Sequence, residues 1–233
     1  MAARDIALID ETCCDAITLC PTCFGHLNKV KSTLIFNENI RKIVASTLKS
    51  INKEFKGTSR IEHFVSMLLR DLGLEKIKNT VIKPLNRLKV APFYGCHILR
   101  PSELRMVDNP EEPKLLDSLI KITGAALLEY SEKRSCCGAP VMNFNEKLAL
   151  KILREKLKSI QETGANAIVT ICPFCHVHFD INQASMKDEF EEEYYLPVLH
   201  YTQLLGLAQG LSPEELGLNE NRVPVDEVLK IIS

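Results

Sequence analysis

The sequence lacks tryptophan, long apolar runs and an excess of either charge sign. No run of about 18 apolar residues occurs, so no membrane span is predicted. Residues 1–5 do not resemble the apolar segment of a secretory signal peptide, which excludes that targeting route and predicts a cytoplasmic protein. With 29 basic and 30 acidic residues the net charge is −1, so neither nucleic acid nor an anionic membrane is expected as a partner. Nothing follows from the missing tryptophan.

Cysteine, by contrast, is abundant, with nine in 233 residues. In a chain without a signal peptide, that number indicates a reducing compartment and thiols that serve as ligands rather than disulfides. An odd count also cannot be fully paired within the chain. The length allows one large or two modest domains, and 45% hydrophobic residues are ordinary for a globular protein.

Five of the cysteines form an uncommon pattern of one Cys, then Cys-Cys-Gly, then Cys-Pro-x-Cys: Cys96, Cys136, Cys137, Cys172 and Cys175. Gathered thiolates select zinc, copper(I) or iron–sulfur clusters. Five ligands are one too many for a tetrahedral zinc ion. For the last pair alone, a structural zinc half-site or a thioredoxin-like dithiol would be favoured. The whole set favours an iron–sulfur cluster, with zinc as the alternative, and therefore electron transfer or reductive catalysis.

Short apolar runs alternate with amphipathic segments, which predicts an α/β fold. Residues 75–89 are basic and polar and are interpreted as a link between two modules. The predicted strands are Ala16–Leu19, Val90–Tyr94, Ala125–Leu128 and Ala167–Ile171. The predicted helices are Asn37–Phe55, Ile61–Leu72, Glu111–Ile122 and Asn145–Thr163, the last capped by Asn145.

An internal repeat relates the two halves of the chain. Cys20 and Cys23 align with Cys172 and Cys175, with the same offset of 152 residues (172 minus 20 and 175 minus 23). The equivalent of Cys96 would lie at 96 − 152 = −56, before Met1. The repeat therefore predicts two related modules, the late part of a first one in residues 1–80 and a complete second one in residues 90–233. The first site would retain Cys20 and Cys23 only.

The sequence of the second module predicts where its thiols meet. Cys96 and Cys172 each follow a predicted strand, and active sites of α/β sheets lie at the carboxyl ends of the strands. Amide groups at the start of the helix after Cys172 would stabilise negative sulfur atoms. Gly138 has no side chain, so the backbone can bend sharply beside a bulky cofactor.

Other reactive side chains have ordinary interpretations beside the functional ones. Cys13 and Cys14 could replace the missing pair of the first module, but they align with the start of a strand and are expected to be buried as small hydrophobic residues. The histidines at positions 97, 176 and 178 could ligate iron or relay protons, and support of the sulfur ligands or capping is favoured. His26 and His63 recur as His178 and His200, which favours an architectural role. Arg100 and Lys133-Arg134 could offset anionic charge; exposure to solvent is the default expectation.

Three motifs together resemble the second cysteine-rich CCG domain in the B subunit of CoB–CoM heterodisulfide reductase. They are Pro92-Phe-Tyr-Gly-Cys-His-Ile-Leu-Arg-Pro101, Ser135-Cys-Cys-Gly138 and Cys172-Pro-Phe-Cys-His176. The resemblance extends from about Asp15 to the C-terminus. It implies two CCG modules, each a small, mainly parallel sheet flanked by helices, with the first incomplete here.

The resemblance also implies a cofactor, partners and a reaction. In that family each complete module binds a noncubane [4Fe-4S] cluster through five cysteines, which correspond to Cys96, Cys136, Cys137, Cys172 and Cys175. The mixed disulfide CoM-S-S-CoB is reduced between two such clusters, with electrons from an iron–sulfur C subunit and a flavin-bearing A subunit. This chain is a fragment, has a misplaced start or carries one cluster only. If it carries one cluster, the alternative function is that of a non-catalytic electron-transfer subunit. A zinc-stabilised interaction module is the third hypothesis.

Overall fold

The computed structural model describes residues 1–102 and 107–233 of the chain. Strands β1 to β6 span Ala16–Thr18, Ile61–His63, Lys89–Phe93, Ala126–Leu127, Ala167–Thr170 and Val198–His200. β1 and β2 form a two-stranded sheet, and the other strands form a four-stranded sheet in the order β4-β3-β5-β6. Every pairing is parallel, so all carboxyl ends within a sheet lie at one edge. The predicted α/β class is confirmed.

Helices connect and cover these strands. In the described residues α1 to α12 span Ala2–Glu11, Pro21–Phe36, Glu38–Lys49, Phe64–Met67, Gly73–Lys78, Cys96–Leu99, Leu115–Lys121, Glu146–Glu162, Pro173–Asn182, Ser185–Phe190, Tyr201–Ala208 and Asp226–Ile232. A π-helical turn, Leu68–Leu72, follows α4. Because parallel strands need a crossover connection, helices alternate with strands along the chain.

Two apolar clusters cover the faces of the four-stranded sheet. One contains Val90 and Val169 of the sheet together with Phe64, Val65 and Leu88 from the preceding part of the chain. The other packs Phe93 and Ile168 against the inner face of α8. The segment interpreted as a link, residues 75–89, thus contributes buried side chains, because Ile77, Leu85 and Leu88 are at most 3% exposed.

Three helix predictions are wrong at an end. The helix predicted from Glu111 begins at Leu115, and two others differ more. Ile61–His63 forms a strand, not the first turn of a helix, because Ile61 and His63 are buried and the segment pairs with β1. Helix α3 ends at Lys49 instead of Phe55, and Leu48 is its only buried residue. The rest of its apolar stripe stays in contact with solvent, with Ile43 68% exposed. Pairing with a distant strand overrode the local pattern at Ile61–His63.

Helix α8 matches its prediction closely. The side-chain Oδ1 of Asn145 accepts a hydrogen bond from the backbone N–H of Leu148 (3.0 Å), which caps the helix at the predicted residue. Its inner face buries Leu150, Leu153, Leu157 and Ile160. This face forms one wall of the region described next.

Candidate iron–sulfur site

The predicted cysteines meet at the carboxyl edge of the four-stranded sheet. Strand β3 leads through Gly95 to Cys96, and the neighbouring strand β5 leads to Cys172. A Cβ on Gly95 would lie 3.2 Å from Cys172 Cβ and 3.6 Å from Cys175 Sγ, so the β3 turn passes directly beside the Cys-Pro-x-Cys segment. The two strand ends therefore bring three of the thiols together.

Cys172 lies at the start of α9, as its N-cap, with Pro173 in the first helical position. Hydrogen bonds from the thiols of Cys175 and Cys20, and then from the backbone amides of Cys175 and Phe174, lower the pKa of Cys172 to about 3. Amides at a helix start stabilise a thiolate in this way, in agreement with the prediction made from the sequence.

Cys136 and Cys137 lie in a loop that packs on α8. Gly138 has φ +96°, and a Cβ there would lie 2.8 Å from the carbonyl oxygen of Ala149, so only glycine suits this position. Hydrogen bonds from the thiols of Cys137 and Cys96 lower the pKa of Cys136 to about 2, and the Gly138 amide donates to Cys136 Sγ (3.5 Å). The same hydrogen bond with Cys136 raises the pKa of Cys96.

All five thiols are thus in one chain of contacts. Cys175 Sγ donates to Cys137 Sγ at 3.3 Å, which joins the two motifs, and both residues are buried. The crevice between Cys96, Cys137 and Cys172 has a volume of about 10 Å³, enough for roughly one water molecule. As they stand, no three His, Cys, Asp or Glu side chains among residues 1–102 and 107–233 could hold a metal ion. A cluster would have to separate these sulfur atoms.

The chemistry of the donor set nevertheless fits an iron–sulfur cofactor. The converging groups are mostly thiols, with His97 also lining the crevice between them, and soft sulfur donors of this kind select iron–sulfur clusters, zinc or copper(I). Two of them, Cys136 and Cys172, already favour the thiolate form that binds metal.

The cysteines of the first half divide into three situations. Cys20 is the N-cap of α2, and its thiol hydrogen-bonds to Cys172, which raises the pKa of Cys20. Cys23 is exposed. Cys13 and Cys14 are also exposed, so their prediction as buried residues is wrong. They occupy the turn that follows α1, where Cys13 has φ +54° and the chain reverses at the surface before β1.

Three histidines are buried, His63 and His200 at strand ends and His178 within α9, and burial lowers the pKa of each to about 4. His200 caps α11: its Nδ1 accepts from the Thr202 amide, and Gln203 Oε1 accepts from the His200 amide. This arrangement supports the architectural role expected from the repeat. His63 is fully buried, and neither ring nitrogen has a hydrogen-bond partner among the described residues.

Arg100 and Lys133 are both expected from the sequence to be exposed to solvent, and the structure agrees for only the first. Arg100 is 57% exposed and pairs with Glu111 (3.0 Å), which matches the default expectation. The expectation for Lys133 is wrong, because its side chain is 8% exposed and its Nζ contacts Asp117 (2.6 Å) and Glu129 (3.1 Å).

Sequence reasoning also missed Lys156, which is 3% exposed on the inner face of α8. The signal was present, because position 156 follows Ile152 by four residues and Leu153 by three, in register with the apolar stripe.

Comparison with known families and proteins gives consistent results. The CCG family, described as a cysteine-rich domain, matches residues 90–180. The chain is 39% identical over 231 residues to a protein of Methanosarcina acetivorans, the B subunit of a ferredoxin/F420H2-dependent CoB-CoM heterodisulfide reductase, covering 98% of this chain and 77% of that protein. It is 32% identical over 219 residues to the 8-methylmenaquinol:fumarate reductase membrane anchor subunit of Wolinella succinogenes, covering 94% of this chain and 76% of that protein.

A solved structure shares the fold. The crystal structure of a hypothetical protein from Helicobacter pylori superposes with a TM-score of 0.78 at 16% identity, covering 96% of this chain and 41% of that one. This chain thus spans less than half of that protein's length, and the likeness concerns the fold alone. In the part of the chain that the structure describes, no helix is both long and apolar enough to cross a membrane.

Proposed function

This chain belongs to the B-subunit family of heterodisulfide reductases, which are cysteine-rich CCG proteins, and from that premise we propose that it is the iron–sulfur subunit of a complex that reduces a mixed disulfide to two thiols. The observation that carries the proposal is the meeting of five thiols from three separate segments at one sheet edge. The overall reaction adds two electrons and two protons to R–S–S–R′ and releases RSH and R′SH. The electrons would come from partner subunits of the iron–sulfur and flavin types.

Each element of the site has a role in this proposal. The thiols of Cys96, Cys136, Cys137, Cys172 and Cys175 would hold a noncubane [4Fe-4S] cluster. When bound, such a cluster supplies one-electron transfer at a potential set by its charge, hydrogen bonds and exposure. Gly95 and Gly138 keep the backbone close to the sulfur atoms, and the start of α9 stabilises negative charge on Cys172.

The substrate would approach from a cleft beside Cys96. This cleft has a volume of about 500 Å³, within the usual range for small-molecule sites, and is lined by Cys96, His97, Arg100, Pro101, Ser102, Pro110 and Glu111. Arg100 is the cation exposed in it, paired with Glu111. We propose that Arg100 attracts the anionic groups of a disulfide substrate by leaving Glu111.

Metal analysis tests the cofactor. Protein purified or reconstituted without oxygen should be brown and contain about four irons per chain at one complete site. Replacing Cys137 or Cys175 by Ser should remove the colour, whereas Cys13→Ser, at an exposed turn position, should not. Colourless protein that contains only zinc would contradict the proposal and support the zinc-stabilised module instead.

A single-turnover experiment tests the reaction. Since one cluster supplies one electron, two reduced, iron-loaded chains should be reoxidised for each CoM-S-S-CoB that is reduced to two thiols, with a change in their absorbance and EPR spectra. Arg100→Ala should raise the disulfide concentration needed for half-maximal reoxidation rate much more than it lowers the final amplitude of the spectral change. The reason is that Arg100 is proposed to attract substrate and not to hold iron.

The second candidate is an electron-transfer subunit that does not bind a disulfide. It is favoured by the Wolinella succinogenes relative, whose name places it in a fumarate reductase complex. In that case the iron-loaded protein would be reduced and oxidised normally, yet CoM-S-S-CoB would leave its spectrum unchanged.

We also propose that residues 1–80 and 90–233 are two related modules, and that Cys20 and Cys23 of the first are ligands of a second site. The internal repeat supports this proposal. Cys23→Ser should then leave the iron content of the complete site unchanged. Loss of iron in that variant would indicate that the two halves share one cofactor.

A further inference from the structure

Lys156 is a buried cation on helix α8, the helix whose inner face forms one wall of the thiol site. Its side chain is 3% exposed and lies on the α8 face that also buries Leu153 and Leu157. Lysine is rarely buried without a partner, because moving an ammonium group out of water is costly. Its burial therefore requires an explanation in terms of the groups around it.

The acidic contact of Lys156 is weak and partly exposed. Its Nζ lies 3.4 Å from Oε2 of Glu132, whose side chain is 36% exposed. The same Oε2 accepts a hydrogen bond from the Ser135 hydroxyl (2.8 Å), directly before Cys136. That hydroxyl and then Lys156 hold the pKa of Glu132 below its ordinary value, so the carboxylate is charged.

The neighbouring Lys133 shows the contrast. It is also buried, but it makes a 2.6 Å contact with Asp117, which is itself buried, and a 3.1 Å contact with Glu129. The charge of Lys133 is therefore well matched by acidic groups at short range. Lys156 keeps more of its positive field available to other groups, because its partner is more distant and faces water.

The Cys-Cys-Gly loop is the part of the thiol site that helix α8 contacts. Helix α8 packs directly on the Cys-Cys-Gly loop, where a Gly138 side chain would touch Ala149 and Ile152, and Lys156 lies one turn beyond Ile152. The ammonium group of Lys156 also reaches this loop through Glu132, whose Oε2 contacts Lys156 Nζ (3.4 Å) and accepts from the hydroxyl of Ser135, the residue before Cys136. The cation thus acts on the loop through a low-dielectric interior rather than by direct ligation.

We propose that Lys156 and Glu132 are an opposed pair of positioning residues that sets the reduction potential of the thiol-bound iron–sulfur site. Reduction adds negative charge, so a buried cation stabilises the reduced form and raises the potential, while Glu132 offsets that effect. The inference rests on the proposed iron–sulfur function. It concerns how readily the site accepts an electron and does not depend on which substrate receives it.

The test compares midpoint potentials of the iron-loaded protein by EPR-monitored redox titration. In Lys156→Met, which keeps the length of the side chain and removes its charge, the reduced-to-oxidised ratio at a fixed solution potential should fall about tenfold, equivalent to about 59 mV for one electron. In Glu132→Gln, which can still accept from Ser135, the ratio should rise. Lys158→Met, an exposed change on the same helix, should leave the ratio unchanged.

Midpoint-potential shifts of opposite sign in Lys156→Met and Glu132→Gln distinguish this role from a merely structural one. If Lys156 only anchored the loop, both variants would alter thermal stability and neither would move the potential in a charge-dependent direction. Unchanged potentials, or shifts of the same sign, overturn the inference while the proposed function stands. If wild-type protein takes up no iron, the proposed function fails and the inference fails with it. Glu132 is partly exposed, so its variant should fold and test the sign even if Lys156→Met does not.

Discussion

Gly138 shows how one residue can fix the shape of the candidate site. Its φ of +96° is costly for other residues, and a Cβ would meet the Ala149 carbonyl oxygen at 2.8 Å. Gly138→Ala should therefore destabilise the metal-free protein by about 2–3 kcal/mol, from backbone strain plus steric conflict. Urea denaturation of the variant and the wild type would measure the loss.

Gly164 provides the matched control. It also has a positive φ, +73°, but a Cβ there would touch nothing within 4 Å. Gly164→Ala should cost only the strain, about 1 kcal/mol. Equal losses in the two variants would show that contact with α8 does not constrain the loop.

His63 gives a residue-scale prediction about pH. Burial, and then the nearby His200, lower the pKa of His63 to about 4, whereas an unfolded histidine has a pKa near 6.5. Between these values the unfolded chain binds a proton that the folded chain does not, so stability falls as the pH drops from 6.5 toward 4. His63→Leu removes this titrating group. Between pH 7 and pH 5 the free energy of unfolding of the variant should therefore fall by about 1–2 kcal/mol less than that of the wild type.

The measurement is chemical denaturation at both pH values. His26, exposed on α2, serves as the control, and His26→Leu should keep the wild-type pH dependence. If His63→Leu loses as much stability as the wild type on acidification, His63 is protonated in the folded protein and the prediction is wrong.

At the scale of elements, two helices differ in how they are held. Asn145 caps α8 and Asn37 caps α3, each by accepting from an amide three residues later at 3.0 Å. Helix α8 buries one face in the core, whereas α3 buries Leu48 alone. Removing the cap should therefore affect global stability only for α8, since α3 can fray without unfolding the rest.

We expect Asn145→Ala to lower the free energy of unfolding by about 1 kcal/mol. Asn37→Ala should change it much less and should instead speed amide hydrogen exchange within α3. A large global loss for Asn37→Ala would indicate that α3 is packed more tightly against other parts of the protein in solution.

At the scale of the whole molecule, the two halves share one core. Leu88, 0% exposed, belongs to the cluster that joins Phe64 and Val65 to the four-stranded sheet. Leu88→Ala should cost about 2–5 kcal/mol and lower the melting temperature of a single transition. Calorimetry of the metal-free protein would show whether one transition or two occur.

Ile82 is the control from the same segment, because it is 74% exposed. Ile82→Ala should change stability by about 0.5 kcal/mol or less. Two separate transitions, of which Leu88→Ala shifts only one, would instead support independent folding of the two proposed modules.

The sequence by itself determined the fold class and the group of residues that meet. Strands followed by cysteine are local patterns, and parallel strands necessarily bring their carboxyl ends to one edge, so local sequence was enough to place Cys96 and Cys172 together. The cap at Asn145 was predictable for the same reason, because it depends on three residues of local backbone. The role of the five thiols as iron ligands stays a prediction.

Tertiary structure alone decided which side chains are buried and which face each other. Leu88 and Lys133 lie in the interior and the apolar stripe of α3 does not, because burial depends on distant segments that local periodicity does not contain. The contact of Cys20 with Cys172 joins positions 152 apart (172 minus 20). Lys156 is buried near the Cys-Cys-Gly loop because α8 packs on that loop, and local sequence does not contain that packing.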